Sequence, residues 1–383
     1  KRPRGNARMQ KETNMQFIDL ATQQKRIRRR IEAGFQRILN HGQYIMGPEI
    51  GELEAKLADF TGTPFAVAVA SGTDALLMPL MVEKVGPGDA VFTSTFTFIA
   101  TAGAIALTGA TPVFVDIRAD TFNIDPSKLE AAIKRTIAHK RLTPKGIIPV
   151  DLFGQPADYA AIHAIASQYD LFVLEDAAQS FGASQGGKRA GALARVAGTS
   201  FFPAKPLGCY GDGGMIFTGS RDIHEQLLSI RVHGQGADKY TNVRIGINGR
   251  MDSLQAAVLL AKMEIFPEEI ELRQEVASRY DRLLSGSVTV PKVLPGNMSA
   301  WAQYSILHPR RDDVIAKLRE NGVPTAIYYP VPLHLQEAFA PLGHGKGDFP
   351  VAERIAGEIF SLPMHPYLEK ESQQRITAII KNS

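Results

Sequence analysis

The chain has 383 residues, 44% hydrophobic and 21% charged, enough for one large domain and a smaller one, each with its own core. Of its 43 basic and 39 acidic residues, five and one fall within residues 1–14; the net charge of +4 therefore belongs to that segment, and the body beyond carries 38 of each. So balanced a body lacks the clustered cations of a nucleic-acid surface, the single Cys209 excludes an intramolecular disulfide framework, and no apolar stretch reaches the roughly 20 residues of a membrane helix. Residues 1–14 have no apolar period and are expected to be a disordered basic tail, with folding starting near Met15. That tail has charge but no following apolar segment, so no signal peptide is expected and the cytoplasm is the expected compartment. The nine histidines show no H-x-x-x-H or H-E-x-x-H spacing, so no metal site is expected.

Along the body, Ile27, Ile31, Phe35, Ile38 and Leu39 form a helical stripe over 24–40, and Pro48 suits the first turn of a second helix. Short β-rich runs then alternate with helical stretches. Strands are expected at 65–70, 90–93, 112–115, 146–150, 171–174, 198–201 and 215–218, and helices near 73–85, 98–108, 126–138 and 157–168. Alternation at this spacing implies crossover units and a mainly parallel sheet buried on both faces, an α/β fold. After about residue 250 the pattern changes to helices at 252–264 and 267–285, strands around 287–290 and 302–308, and a helix at 312–321. The expected organisation is a large domain over 15–250, then a linking helix and small α+β domain over 251–383.

Three segments carry candidate chemistry. Ser71-Gly72-Thr73-Asp74 follows the first strand and opens a helix, whose free N–H groups and positive dipole end suit a phosphate. An ordinary capped turn explains it equally, and neither a dinucleotide G-x-G-x-x-G nor a G-x-x-x-x-G-K-S/T loop is present. The apolar run 171–174 delivers Asp176 to the carboxyl edge of the sheet, where open α/β sheets bind ligands; the alternative is that Asp176 caps a following helix. Lys205 lies between Pro203 and Pro206 among Phe201, Phe202 and Leu207. The prolines forbid regular structure, and apolar neighbours lower a lysine pKa, as Schiff-base chemistry at neutral pH requires. A phosphate cup, a carboxylate for a pyridinium nitrogen and a lysine for an aldehyde are what pyridoxal 5′-phosphate (PLP) needs.

These segments occur with Gly42-Gln43-Tyr44-Ile45-Met46-Gly47-Pro48-Glu49, Thr95-Phe96-Thr97-Phe98-Ile99-Ala100-Thr101, Glu175-Asp176-Ala177-Ala178-Gln179 and Gly246-Ile247-Asn248-Gly249-Arg250-Met251. The chain thus resembles, from about Phe17 onward, the DegT/DnrJ/EryC1/StrS family of sugar aminotransferases. The resemblance implies the aspartate-aminotransferase-like fold (fold type I), PLP as cofactor, and a homodimer with shared active sites. It further implies that Gly72, Thr73, Asp74 and Ser200 hold the phosphate, Phe98 stacks on the ring, Asp176 pairs with the ring nitrogen, and Gln179 approaches the ring hydroxyl. Lys205 would be the Schiff-base lysine, and Asn248 would reach the neighbouring subunit's cofactor. Without the resemblance Phe98 reads as a core residue.

Arg250 is a candidate for a substrate carboxylate, with a surface arginine capping Asp252 or a nearby helix as the even alternative. His334 is a weaker candidate that reads as easily as a surface histidine. One departure stands out: many members carry a histidine where this chain has Asp151 before Leu152-Phe153-Gly154. Within the family the chain is most similar to enzymes that transfer an amino group from L-glutamate to carbon 3 of UDP-2-acetamido-2-deoxy-3-oxo-D-glucuronate for surface polysaccharide. The sister dehydratases have histidine in place of Lys205. A non-catalytic sugar-nucleotide-binding protein is disfavoured by Lys205, Asp176 and Gly72-Thr73 together.

Overall fold

A computed structural model describes residues 15–383; the expectation of a disordered tail concerns residues 1–14 and lies outside the described residues. The first helix, α1 (Leu20–His41), begins four residues before the apolar stripe because Asp19 caps it, its carboxylate accepting from Thr22 N–H. Its buried face carries Ile27, Ile31 and Ile38. Helix α2 (Pro48–Thr61) begins on the proline that suits a first turn.

All seven expected strands of the large sheet form. In chain order the elements are β1 (Phe65–Val69), α3 (Gly72–Val82), β2 (Asp89–Ser94), α4 (Ile99–Leu107), β3 (Thr111–Val115), α5 (Pro126–His139), β4 (Thr143–Ile148), α6 (Tyr159–Gln168) and β5 (Phe172–Asp176). Two-residue strands β6 (Ser184–Gln185) and β7 (Lys188–Arg189) precede β8 (Val196–Ser200) and β9 (Gly214–Thr218), which leads into α7 (Arg221–Ile230). The sheet order is β1-β9-β8-β5-β4-β2-β3. Pairings among β2, β3, β4, β5 and β8 are parallel, whereas β9 runs antiparallel to both β1 and β8. The direction of β9 follows from its connection. Parallel neighbours need a crossover, usually a helix, and residues 201–213 contain none, so the chain doubles back. Lys205 rides on that return loop. Helices cover both faces of the sheet, and strand residues such as Val67, Val91, Ile147 and Ile216 are fully buried, hence the unbroken apolar runs.

The C-terminal part comprises α8 (Ser253–Met263), α9 (Phe266–Leu284), β10 (Asn297–Met298), β11 (Tyr304–Leu307), α10 (Arg311–Glu320), α11 (Pro350–Glu358), β12 (Ile359–Leu362) and α12 (Lys370–Lys381). The expected strand at 287–290 does not form; Thr289 makes only an isolated bridge to Leu307, whose true partner is β12. The segment expected to link the two parts is α8 and α9. Helix α8 and the start of α9 (Phe266, Ile270) pack into the core beneath β1 and β9, while Val276, Tyr280 and Leu284 later in α9 pack with β11, β12 and α12. The change of core therefore falls inside α9. A further cluster joins the two parts, Phe96, Val150 and Phe153 packing with Leu307, Leu333 and Phe349. Among the described residues no helix is long and apolar enough to cross a membrane.

Candidate active site

Strands β1, β5 and β8 are mutually parallel, so their carboxyl ends lie along one edge and bring Ser71-Gly72-Thr73, Asp176 and Ser200 together. Ser71 caps α3, its hydroxyl accepting from Asp74 N–H at 3.1 Å. The amide of Asp74 is therefore already engaged, whereas Gly72 and Thr73, in the first turn, have no intrahelical acceptor for their N–H groups. A Cβ on Gly72 would stand 2.6 Å from Ser200 Cβ, so only glycine allows the helix start to approach Ser200 this closely. The result is a cup of backbone donors and a hydroxyl at the positive end of a helix dipole, which fits a phosphate. Asp74 adds a carboxylate whose pKa burial raises, against the opposing hydrogen bond with Ser71.

Asp176 closes β5. Its Oδ2 accepts from Thr101 Oγ1 at 2.8 Å and its Oδ1 from Ala178 N–H at 3.2 Å. Turns rather than a helix follow it, so the helix-cap alternative fails. Burial raises the carboxyl pKa; the bonds from Thr101 and Ala178, and the charge of Lys205, act against that. Lys205 is half-buried on the return loop, with its N–H donating to Phe202 O. Burial lowers its amine pKa, opposed by the charge of Asp176. A desolvated amine facing a carboxylate beside a phosphate cup is the arrangement that PLP requires.

Phe98 stands at the start of α4 and is 56% exposed, not the core residue that its helix-start position suggests. An exposed ring at this edge suits stacking on a planar cofactor. Its centroid lies 6.4 Å from that of Tyr329. Gln179 accepts from Phe153 N–H at 2.6 Å and donates to the Tyr329 hydroxyl at 3.1 Å. Tyr329, from the C-terminal part, thus borders the site, as does Thr101. Neither was singled out from the sequence, although Thr101 ends the quoted Thr95–Thr101 motif and Tyr329 lies in a proline-rich run.

Asn248 and Arg250 sit beside the β1 edge, where Arg250 forms an isolated bridge with Val69 and Gly249 O accepts from Ala70 N–H. Arg250 Nε donates to Asn248 Oδ1 at 2.8 Å, which replaces the capping alternative. His334 is a correction. It is 1% exposed, with Nδ1 2.7 Å from Thr95 Oγ1 and Nε2 3.1 Å from Glu353 Oε1. With both ring nitrogens engaged inside the protein, and burial lowering its pKa against the pull of Glu353, it is neither a surface histidine nor a free cation for substrate.

The model of the DegT/DnrJ/EryC1/StrS aminotransferase family matches residues 25–381. The chain belongs to this family. It is 51% identical over 371 residues to the UDP-2-acetamido-2-deoxy-3-oxo-D-glucuronate aminotransferase of Pseudomonas aeruginosa, covering 96% of this chain and 100% of that one. Among solved structures, a DegT/DnrJ/EryC1/StrS aminotransferase from Brucella abortus is 50% identical with a TM-score of 0.93, covering 96% of this chain and 99% of that one. NtdA from Bacillus subtilis, described with bound cofactor PMP, is 29% identical with a TM-score of 0.86, covering 96% of this chain and 83% of that one. This family member is a PLP-dependent aminotransferase acting on sugar nucleotides, with the aspartate-aminotransferase-like fold.

Proposed function

We propose that the enzyme moves an amino group from L-glutamate to the 3-keto carbon of UDP-2-acetamido-2-deoxy-3-oxo-D-glucuronate, as a cytoplasmic homodimer serving surface-polysaccharide synthesis. The observation that carries this reading is identity of 51% across the whole length of a relative named for that substrate. The same reading divides the chain into a large cofactor domain and a small C-terminal domain that meet along α9.

When bound, PLP supplies an aldehyde that exchanges amino groups and a ring that accepts electrons. Gly72, Thr73 and Ser200 would hold the phosphate, with Asp74 beside them, and Phe98 would stack on the ring and shield it from water. Gln179, fixed between Phe153 N–H and the Tyr329 hydroxyl, presents its amide toward the ring hydroxyl. Asp176, held by Thr101 and Ala178, keeps the proton on the ring nitrogen. Lys205, its pKa lowered by burial, takes the donor's α-proton as general base and returns a proton in the reverse half.

A homodimer is supported by apolar side chains exposed beside Asn248: Tyr44, Ile45 and Met46, with Ile45 bridged to Asp252, and Val243 and Ile245 on the segment just before it. If Asn248 serves the neighbour's cofactor, mixing inactive Lys205→Ala subunits with weakened Asn248→Ala subunits restores activity, because one site of each mixed dimer keeps both residues. Verified subunit exchange without recovery would mean that each site is built from one chain.

Arg250, oriented by Asn248, offers a planar fork for the substrate's C6 carboxylate. Arg250→Ala should cost about 2–4 kcal/mol with the uronate and far less with its hydroxymethyl analogue, the lower part of what truncating one partner of a buried charge pair costs. Single turnovers of the pyridoxamine-loaded enzyme keep glutamate's own carboxylate out of the measurement. Equal conversion of both sugars by the unmodified enzyme would sink the uronate assignment, and equal losses in the variant would remove Arg250 from the role.

A further inference from the structure

Among the buried titratable groups that the proposed chemistry leaves unused, Asp151 is hydrogen-bonded to the backbone of Asp176 itself. Asp151 is fully buried just behind the site, and its carboxylate is thoroughly partnered. Oδ1 accepts from Ala157 N–H at 2.9 Å and from the Tyr159 hydroxyl at 3.1 Å, and Oδ2 accepts from the Ser180 hydroxyl at 2.8 Å. Its own N–H donates to Asp176 O at 3.1 Å, while Asp176 N–H donates to Pro149 O at 3.0 Å. Two residues on, Phe153 N–H reaches Gln179. Asp176 is the last residue of β5, and Gln179 and Ser180 belong to the turn that follows it. Residues 151–153 therefore grip the end of β5 and that turn at three points: the backbone of Asp176, the side chain of Gln179 and the side chain of Ser180.

We propose that Asp151 is a positioning residue for the reaction, bracing the 176–180 turn through Ser180 and setting, by its own charge, the field in which Asp176 works. It touches neither substrate nor cofactor. The inference rests on the reading that Asp176 partners the ring nitrogen.

The brace follows from geometry. A bound ring would meet both the Asp176 carboxylate, at the end of β5, and the Gln179 amide, which is carried by the following turn without regular secondary structure. Thr101 holds the Asp176 carboxylate from α4, and Asp151 holds the turn from the opposite flank. The charge follows from the neighbours. The titratable groups around Asp151 are Tyr159 from α6 and Glu175 and Asp176 from β5. Glu175 is itself buried, accepting from Gly191 and Leu193 N–H. Burial, partly offset by the three donors and reinforced by the charge of Asp176, pushes the Asp151 carboxyl up to about 7. The Asp151 carboxyl, raised above the ordinary carboxylate range, thus sits on a residue in direct backbone contact with Asp176.

The test uses three variants of the PLP-loaded enzyme. Ser180→Ala keeps the Asp151 charge and cuts the brace. Asp151→Asn removes the charge while keeping an acceptor oxygen. Asp176→Asn is the control for the underlying reading. Each is measured for kcat and KM with the keto-sugar and for the pH dependence of the cofactor's visible absorbance. Ser180→Ala is expected to lower kcat about tenfold with KM unchanged, as a misplaced catalytic group does, and to retain the inflection near neutral pH that the charge of Asp151 is expected to give the wild type. Asp151→Asn is expected to lower kcat similarly and to lose that inflection. A severe defect in Asp176→Asn beside wild-type kcat and an unchanged absorbance profile in the other two would overturn the Asp151 role alone. A silent Asp176→Asn would instead bring down the reading on which it rests. Should Asp151→Asn fail to fold, Ser180→Ala decides: an unaltered kcat there rejects the brace.

Discussion

Replacing Lys205 with alanine should abolish turnover, by at least about 10⁴-fold, because it removes both the covalent anchor and the proton carrier. Borohydride treatment of the loaded wild type should fix the cofactor to the peptide containing Lys205, and the variant should lose that label. The choice of lysine is open to challenge on physical grounds. Lys262 is 1% exposed, and its pKa is pushed down to about 8 by burial, opposed by Glu269. Burial and a lowered pKa make Lys262 a rival for the reactive amine. Position decides otherwise. Lys262 lies within α8 with its ammonium 4.7 Å from the Tyr210 ring centroid, a cation–π contact inside the α1–α8 layer, whereas Lys205 faces Asp176 at the sheet edge. A reduced adduct recovered on Lys262 would overturn the assignment.

Asp176→Asn should lower kcat by about 10²–10³-fold, the scale of removing one preorganised electrostatic partner from a transition state, without loss of stability. The stability half follows from the sign of the shift. The folded-state carboxyl pKa is raised, so the folded chain binds this proton more tightly than the unfolded chain. Ionised Asp176 then costs stability as pH rises through the unfolded value toward the folded one, and that cost persists at neutral pH. Asparagine removes the charge and keeps an acceptor for Thr101, so the cofactor-free variant should melt no lower than the cofactor-free wild type at pH 7, and at about the same temperature at low pH, where the wild-type side chain is already neutral. A variant with near-normal kcat, or one that melts well below wild type at pH 7, would show Asp176 to be held for packing rather than chemistry.

The behaviour of these two residues also marks how far the chain could be read without its structure. Lys205 was legible because its surroundings are local: prolines and phenylalanines within four positions already dictate an irregular, apolar setting. Asp176 was legible because an apolar run covered on both faces has a determinate end, and functional groups in open α/β sheets gather there. The same locality made all seven sheet strands readable, and the Ser71–Asp74 turn with them.

The readings that failed or were missing depend on partners far away in sequence. Whether Phe98 is core or exposed depends on how the β5 edge and Tyr329 are arranged around it. The exclusion of His334 depends on Thr95, 239 positions earlier, and on Glu353. The antiparallel course of β9 was hidden because its apolar run looks like that of a parallel strand, and only pairing with β1 and β8 reveals direction. In the sequence Asp151 stands out only as a departure from a family pattern; the folded chain gives it Ala157, Tyr159 and Ser180. Periodicity and turn chemistry act over a few residues, so sequence alone determined the strands, the turns and the residue types of the site. Side-chain burial and hydrogen-bond partnership are set by which segments the fold brings into contact, and for Phe98, His334 and Asp151 only the tertiary structure decided them.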